Sequence, residues 1–314
     1  MQGRSNPEAG VLGRLSSTTS SPDRSAEQAL VGAAPGVARA VSVSQDGTCV
    51  AGRQLSVRGW RHVSRYATAT AVVAAVIVWQ IVSNLHVFPP IALPSPIAVL
   101  RALMLLATQG YGGHLLTDDI WVSLLRILIG FVGAVVVGVP IGLMMARIDV
   151  VFRVIDPFLQ FIRPVPPLAY IPLLVVWFGI GELPKIMLIL IGTIPVIIIG
   201  TISGVRGTPP LRLAVARTLG ASEGQIFRHV ILPSSLPEIF TAMRIGIGVA
   251  WTCLVAAELI AADQGLGWLV QYAGQALQVP IVIVGIIVIG ILGYAMELVI
   301  RIIERRAVPW RGHG

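Results

Sequence analysis

The sequence predicts an all-α membrane protein with six transmembrane helices, and three features of the chain point there. Of its 314 residues, 55% are hydrophobic and only 12% charged, against about 45–50% and about 25% in soluble domains. Mean hydropathy is +0.83. So little charge cannot cover a soluble protein of this size, so lipid must be the solvent for much of it. The apolar residues also gather into six runs, and the basic residues fall between them in an alternating pattern.

Residues 1–62 are rich in Ser, Gly, Ala and Arg without a sustained period, and no apolar stretch follows the early arginines as in a signal peptide. This segment reads as a disordered cytoplasmic tail, too poor in apolar surface to order itself. Residues 63–314 form the transmembrane domain. Uncharged runs at 67–82, 127–146, 164–181, 186–205 and 279–296, and a run at 245–262 holding only Glu258, are 16 to 20 residues long. A crossing helix needs about 20 apolar residues, within a range of about 17–25. With polar flanks included, the spans lie at about 67–85, 120–146, 164–181, 184–205, 238–262 and 279–300.

Orientation follows from Arg and Lys. With the N-terminus inside, the inner segments are 1–66, 147–164, 203–236 and 301–314. They hold eight, three, four and four basic residues, nineteen of the chain's 23. The outer segments hold Arg101 and Lys185, while Arg126 and Arg244 sit at span ends. That asymmetry puts both termini in the cytoplasm of a multi-pass protein of the plasma (inner) membrane. It also accounts for the pI near 10.5 without nucleic acid, because the cations punctuate apolar runs instead of covering one face.

Two shorter helices are expected. Residues 94–108 open with Ser95-Pro96, an N-cap and first-turn pair. Residues 265–277 are too short to cross and fit an interfacial or re-entrant helix. Gly138 and Gly142, and Gly200 and Gly204, are spaced four apart, so each pair lines one helix face and permits close helix approach. Pro140, Pro166, Pro167, Pro172 and Pro195 kink or break helices; packing or a moving gate both suit them.

Several chemistries are excluded. No phosphate-binding G-x-x-x-x-G-K-[ST] loop is present, so ATP is not hydrolysed by this chain. The five histidines are scattered without metal-ligand spacing, no Ser/His/Asp set can be placed, and Cys49 and Cys253 do not make a disulfide framework. The reading is of a non-enzyme with no cofactor or metal.

Between the fourth and fifth spans, residues 206–240 read RGTPPLRLAVARTLGASEGQIFRHVILPSSLPEIF. Pro209-Pro210 starts a helix over 211–219 and Gly220 stops it. Ser222-Glu223 starts a second short helix, 223–230, which ends before Leu232-Pro233. A helix–Gly–helix pair held by prolines is a rigid projection, exposing Arg217, Glu223, Gln225 and Arg228 to a partner.

This segment resembles the EAA loop of ABC importer permeases, whose pattern is E-A-A-x-x-x-G-x9-I-x-L-P. Gly220, Leu232 and Pro233 match, Val230 replaces Ile, and Ala214 stands where the pattern has Glu. The resemblance covers about residues 65–314. RPVPPLAYIPLLVVWFGIGE (163–182), MRIGIGVAWTCLVAAELIAADQGLGWLV (243–270) and VPWRG (308–312) are most similar to taurine permeases of the nitrate/sulfonate/taurine branch. It implies a type I importer permease fold with a coupling loop formed by Arg217, Gly220, Ala221, Ser222, Glu223, Gln225, Arg228, Leu232 and Pro233. It also implies two ABC ATPase subunits carrying ATP-Mg, a periplasmic or lipid-anchored substrate-binding protein, and a second permease copy completing the pore. The branch further includes alkanesulfonate, nitrate and bicarbonate importers, and those substrates stay open.

Glu258 is the acid inside a span, where a charge costs about 2.5–3.5 kcal/mol on insertion scales. Its roles reduce to an ion pair with a residue such as Arg126, control of an outer gate, or contact with a substrate ammonium. Arg126, Trp251 and Thr252 are further candidates for the pathway or gate. A secondary transporter is the competing reading, but it would show repeated halves, which this chain lacks.

Overall fold

The computed structural model describes residues 60–85, 89 and 92–310. The cytoplasmic-tail reading therefore falls almost wholly outside the described residues; helix α1 begins at Trp60. The chain divides into two units, Met1–Thr68 and Ala69–Gly314, and the second holds the helical bundle. All regular elements among the described residues are helical: α1 (Trp60–Asn84), α2 (Pro96–Thr108), α3 (Leu116–Arg147), α4 (Asp149–Ile162), a 3-10 turn (Pro167–Tyr170), α5 (Ile171–Phe178), α6 (Glu182–Arg206), α7 (Pro210–Thr218), α8 (Glu223–Ile226), α9 (Leu232–Ala261), α10 (Leu266–Gln275) and α11 (Val279–Ala307).

Four of these are long and apolar enough to cross a membrane: α3, α6, the continuous Glu223–Ala261 and α11. The first expected span lies within α1, whose described apolar stretch is Val73–Asn84. The expected third span, 164–181, is not one straight helix. Asp149–Ile162 and Pro167–Phe178 meet at 93°, so the described residues hold four helices that could cross, or five spans if this bent pair is one. The cause is local. Pro164, Pro166 and Pro167 remove three backbone donors within four residues. Arg163 keeps helical angles as the last residue of the turn, and the chain leaves the helix beyond it, where Pro167 disfavours a helical Pro166. Pro166 itself is extended, at φ −59° and ψ 129°. The expected inner loop 147–164 is thus largely the helix α4.

The short helices are where their caps put them. Ser95 Oγ accepts the Ala98 amide at 3.2 Å at the start of α2, and Gly265 precedes α10. Helix α6 is the axis of the bundle, with α3 on one side and α9 on the other. The paired glycines explain the close fit. A Cβ on Gly142 would sit 2.7 Å from Thr201 Cβ, and one on Gly204 2.9 Å from the Ser235 carbonyl oxygen. In lipid, helices associate through such close approach because apolar tails offer no hydrophobic drive between them. Ile127, Phe131, Leu188, Ile247, Cys253, Leu254 and Leu266 make the core, while Val136, Val176 and Ile286 face outward, as residues in contact with acyl chains do.

Candidate functional site

Two constructions stand out, one near each end of the bundle. The first is a buried polar cluster on α3, α6 and α9. Asp119, Ser123 and Arg126 are four and three residues apart on α3, so they share a face. Glu258 reaches that face from α9. Arg126 Nη1 donates to Glu258 Oε1 at 2.8 Å and to the Gln264 carbonyl at 2.8 Å. Its Nε and Nη2 donate to the two oxygens of Glu182, a bidentate pair. Lys185 Nζ donates to Glu182 Oε1 at 3.0 Å.

The acceptors of this cluster also hold the start of α10. The first amides of a helix have no partner within the helix. Here the Gly265 amide donates to Asp119 Oδ1 at 2.8 Å, the Leu266 amide to Ser123 Oγ at 2.9 Å and the Gly267 amide to Glu258 Oε2 at 2.8 Å. Ser123 Oγ donates in turn to Glu258 Oε1 at 2.7 Å. Two carboxylates at the positive end of a helix are electrostatically favourable. The result is a hydrogen-bonded polar knot that fixes α10 to the bundle.

Of the roles open to Glu258, the structure shows the ion pair with Arg126. Both side chains are almost wholly buried. Four of the five Arg126 N–H groups are taken by protein oxygens, which leaves little of the guanidinium for an anionic ligand. Glu182, Lys185, Asp119 and Ser123 were missed by sequence reading. Trp251 and Thr252 lie about two turns before Glu258 on α9, away from the knot. The Trp251 ring is buried, and exposed Thr252 donates to its own helix at the Gly248 carbonyl, 3.1 Å away. Arg244, expected at a span end, sits well inside α9 and faces Glu304 at 3.7 Å.

The second construction is the projection between α6 and α9. Helix α7 ends in a Schellman motif: the Ala221 amide donates to the Ala216 carbonyl at 3.1 Å and the Gly220 amide to the Arg217 carbonyl at 3.0 Å. Gly220 has φ +78°, the left-handed geometry that this motif needs and glycine supplies. Ser222 and Gln225 then form a capping box, with the Ser222 amide donating to Gln225 Oε1 at 2.8 Å. Arg217 and Glu223 pair across the turn at 3.2 Å. Ala221 abuts the turn, and Arg228 is exposed on the far side.

The end of this segment differs from the expected one. The second short helix does not stop before Leu232-Pro233. It passes through a π turn, Phe227–Ile231, directly into α9, and Leu232 and Pro233 open that span. The Pro233 ring would clash with the carbonyl four residues back, and the wider turn relieves the clash. The projection is consequently an extension of a spanning helix, with Ile226 buried as its anchor. Arg147, the last residue of α3, lies over the Phe227 ring at 4.9 Å. The outward face shows Leu211, Val215 and Leu219, spaced four apart and 74%, 51% and 81% exposed.

Between these ends, a cavity of about 520 Å³ lies against α6 and α9, lined among others by Arg163, Tyr170, Pro195, Ser203, Glu238 and Thr241. Among the described residues, the side chains of Arg163 and Glu238 have no hydrogen bond or ion pair. No group of three or more His, Cys, Asp or Glu placed to hold a metal occurs among the described residues.

Residues 138–309 match the family model described as binding-protein-dependent transport system inner membrane component. The taurine transport system permease protein of Escherichia coli is 43% identical over 257 residues, 81% of this chain and 94% of that one. The nitrate import permease protein of Synechocystis is 32% identical over 251 residues, 77% of this chain and 88% of that one. Among solved structures, the methionine ABC transporter in inward-facing conformations matches with a TM-score of 0.54 and 22% identity, over 61% of this chain and 95% of that one. This last likeness concerns the fold.

Proposed function

Because the chain belongs to the binding-protein-dependent transport system inner membrane components, we propose that it is the permease of an ATP-driven importer for taurine or a related sulfonate. The observation that carries the coupling part is the projection Pro210–Ile231, exposed at its tip and continuous through a π turn with a spanning helix. A rigid lever joined to a span transmits movement of a docked partner into the bundle, the rigid-body kind of conformational change. Leu211, Val215 and Leu219 offer an ATPase subunit an apolar face, and Arg217, Glu223, Gln225 and Arg228 a polar rim. ATP-Mg belongs to that partner. Two ATPase subunits, an external binding protein and a second copy of this chain complete the machine, with both termini in the cytoplasm by the arginine asymmetry.

The substrate part rests on the similarity to the taurine permease. The cavity suits it: Arg163 supplies a cation for a sulfonate and Glu238 a carboxylate for an ammonium, in an otherwise largely apolar wall. The knot around Arg126 and Glu258 positions α10 and leaves the ligand to the cavity; Trp251 and Thr252 border a neighbouring groove. Labelled taurine uptake in cells holding the permease, its neighbouring ATPase and binding protein tests this. Uptake should vanish on deletion of permease or ATPase, and unlabelled taurine should compete while nitrate and bicarbonate do not. Uptake of nitrate in place of taurine would retain the importer and replace the substrate.

A further inference from the structure

We infer that the pocket between α9 and the end of α11 is a binding site for a phosphate group, supplied by an anionic lipid of the adjoining leaflet. The pocket, about 450 Å³, is lined by Arg244, Arg301, Glu304, Arg305, Val308 and Pro309. Three guanidinium groups meet one carboxylate there. Glu297 takes Arg301 Nη2 at 2.8 Å, and counting its charge still leaves the cluster net positive.

The donors point the same way. The Nε atoms of Arg244 and Arg301 are buried without a hydrogen-bond partner, and the Arg244–Glu304 approach of 3.7 Å is longer than a hydrogen bond. The Arg305 side chain makes no hydrogen bond or ion pair among the described residues. A buried N–H on a charged group is costly to leave unmade, and a phosphate oxygen is the acceptor that guanidinium forks fit best.

The surroundings favour a lipid as the source. Ile286, Ile291, Ile302 and Ile303 of α11 are exposed, so the helix presents an acyl-chain surface leading to the pocket. The arginine asymmetry assigns this end to the cytoplasmic leaflet, where anionic lipids gather and basic pockets between spanning helices hold their head groups. The site is independent of the transported substrate and of the coupling projection.

The test is native mass spectrometry of the full-length chain in detergent, titrated with phosphatidylglycerol, phosphatidylcholine or inorganic phosphate. Phosphatidylglycerol should bind more tightly than phosphatidylcholine, and Arg305→Gln should weaken it about fivefold, the effect of one arginine near an anionic surface. Arg301→Gln with Arg305→Gln should remove the preference, and Arg305→Lys should keep most of it. Arg305 is exposed, so its replacement leaves the fold intact. Unchanged phosphatidylglycerol affinity in the double variant, or equal binding of the two lipids by the wild type, overturns the site. Binding of inorganic phosphate alone, lost in the double variant, upholds the phosphate chemistry and overturns the lipid source.

Discussion

Arg126 shows how much one buried charge can organise. It holds Glu258, Glu182 and the Gln264 carbonyl at once, and its removal would leave the buried Glu258 without a cation and Glu182 with Lys185 alone. Breaking a buried pair from one side costs about 3–5 kcal/mol. Arg126→Gln should therefore lower the unfolding temperature in detergent and the amount of protein in the membrane, and Glu258→Gln added to it should restore part of the loss. A single variant melting with the wild type would refute the knot's structural role. Gly265 is the second sensitive point. Its φ is +121° and a Cβ there would lie 2.5 Å from Glu258 Oε1. Gly265→Ala should cost at least the roughly 1–3 kcal/mol of a strained backbone, read by the same melting experiment. Glu258 was legible in the sequence because an acid in an apolar run is conspicuous, and Arg126 because it is a cation toward the same outer end of a neighbouring span. Glu182 and Lys185 looked like ordinary loop charges. Asp119 and Ser123 carried a usable signal, their spacing with Arg126 on one helix face. Nothing local tells that face which distant segment it meets; Ser123 and Glu258 are 135 residues apart.

Among the elements, the apolar run expected at 184–205 lies in a helix of nearly the same bounds, Glu182–Arg206, whereas the helices over 238–262 and 279–300 run on to Glu223 and Ala307. Elements shaped by proline were read less well. Three prolines between 164 and 167 make a 93° bend that hydropathy cannot register, and Pro233 widened a helix that it was expected to end. The difference lies in context, because proline breaks a helix only where neighbours do not absorb the lost hydrogen bond. The Gly220 turn was legible in full, since the left-handed residue and the following cap are both local devices. A Cβ on Gly220 would have nothing within 4 Å, so Gly220→Val suffers only the backbone cost, about 1–2 kcal/mol. The variant should reach the membrane in near-normal amount yet fail to co-purify with its ATPase or to stimulate hydrolysis. Normal assembly and stimulation would remove the projection from the coupling role.

At the scale of the molecule, one end is tied by a polar knot, the other carries the helical projection, and the cavity lies against the two helices that connect them. Helix α9 runs from the projection to Glu258 and passes the cavity wall at Glu238 and Thr241, so the proposed coupling would reach the cavity through it. If the cavity is the path of a zwitterion, Arg163→Gln should raise the concentration needed for half-maximal uptake of taurine and of ethanesulfonate alike. Glu238→Gln should do so for taurine alone, because ethanesulfonate has no ammonium. Equal effects on both ligands from Glu238→Gln would contradict that assignment. The class of the molecule was legible from composition and the loop motif, whereas the cavity was not, because its lining comes from separate helices whose relative rotation no single segment encodes.

The most direct measurement is labelled taurine uptake into proteoliposomes holding this chain with its ATPase, supplied with the binding protein on one side and ATP on the other. Uptake that needs ATP and the binding protein, and is lost with Gly220→Val in permease of normal abundance, is the predicted result. Uptake indifferent to ATP, or undiminished in that variant, would contradict the account of a lever-driven importer.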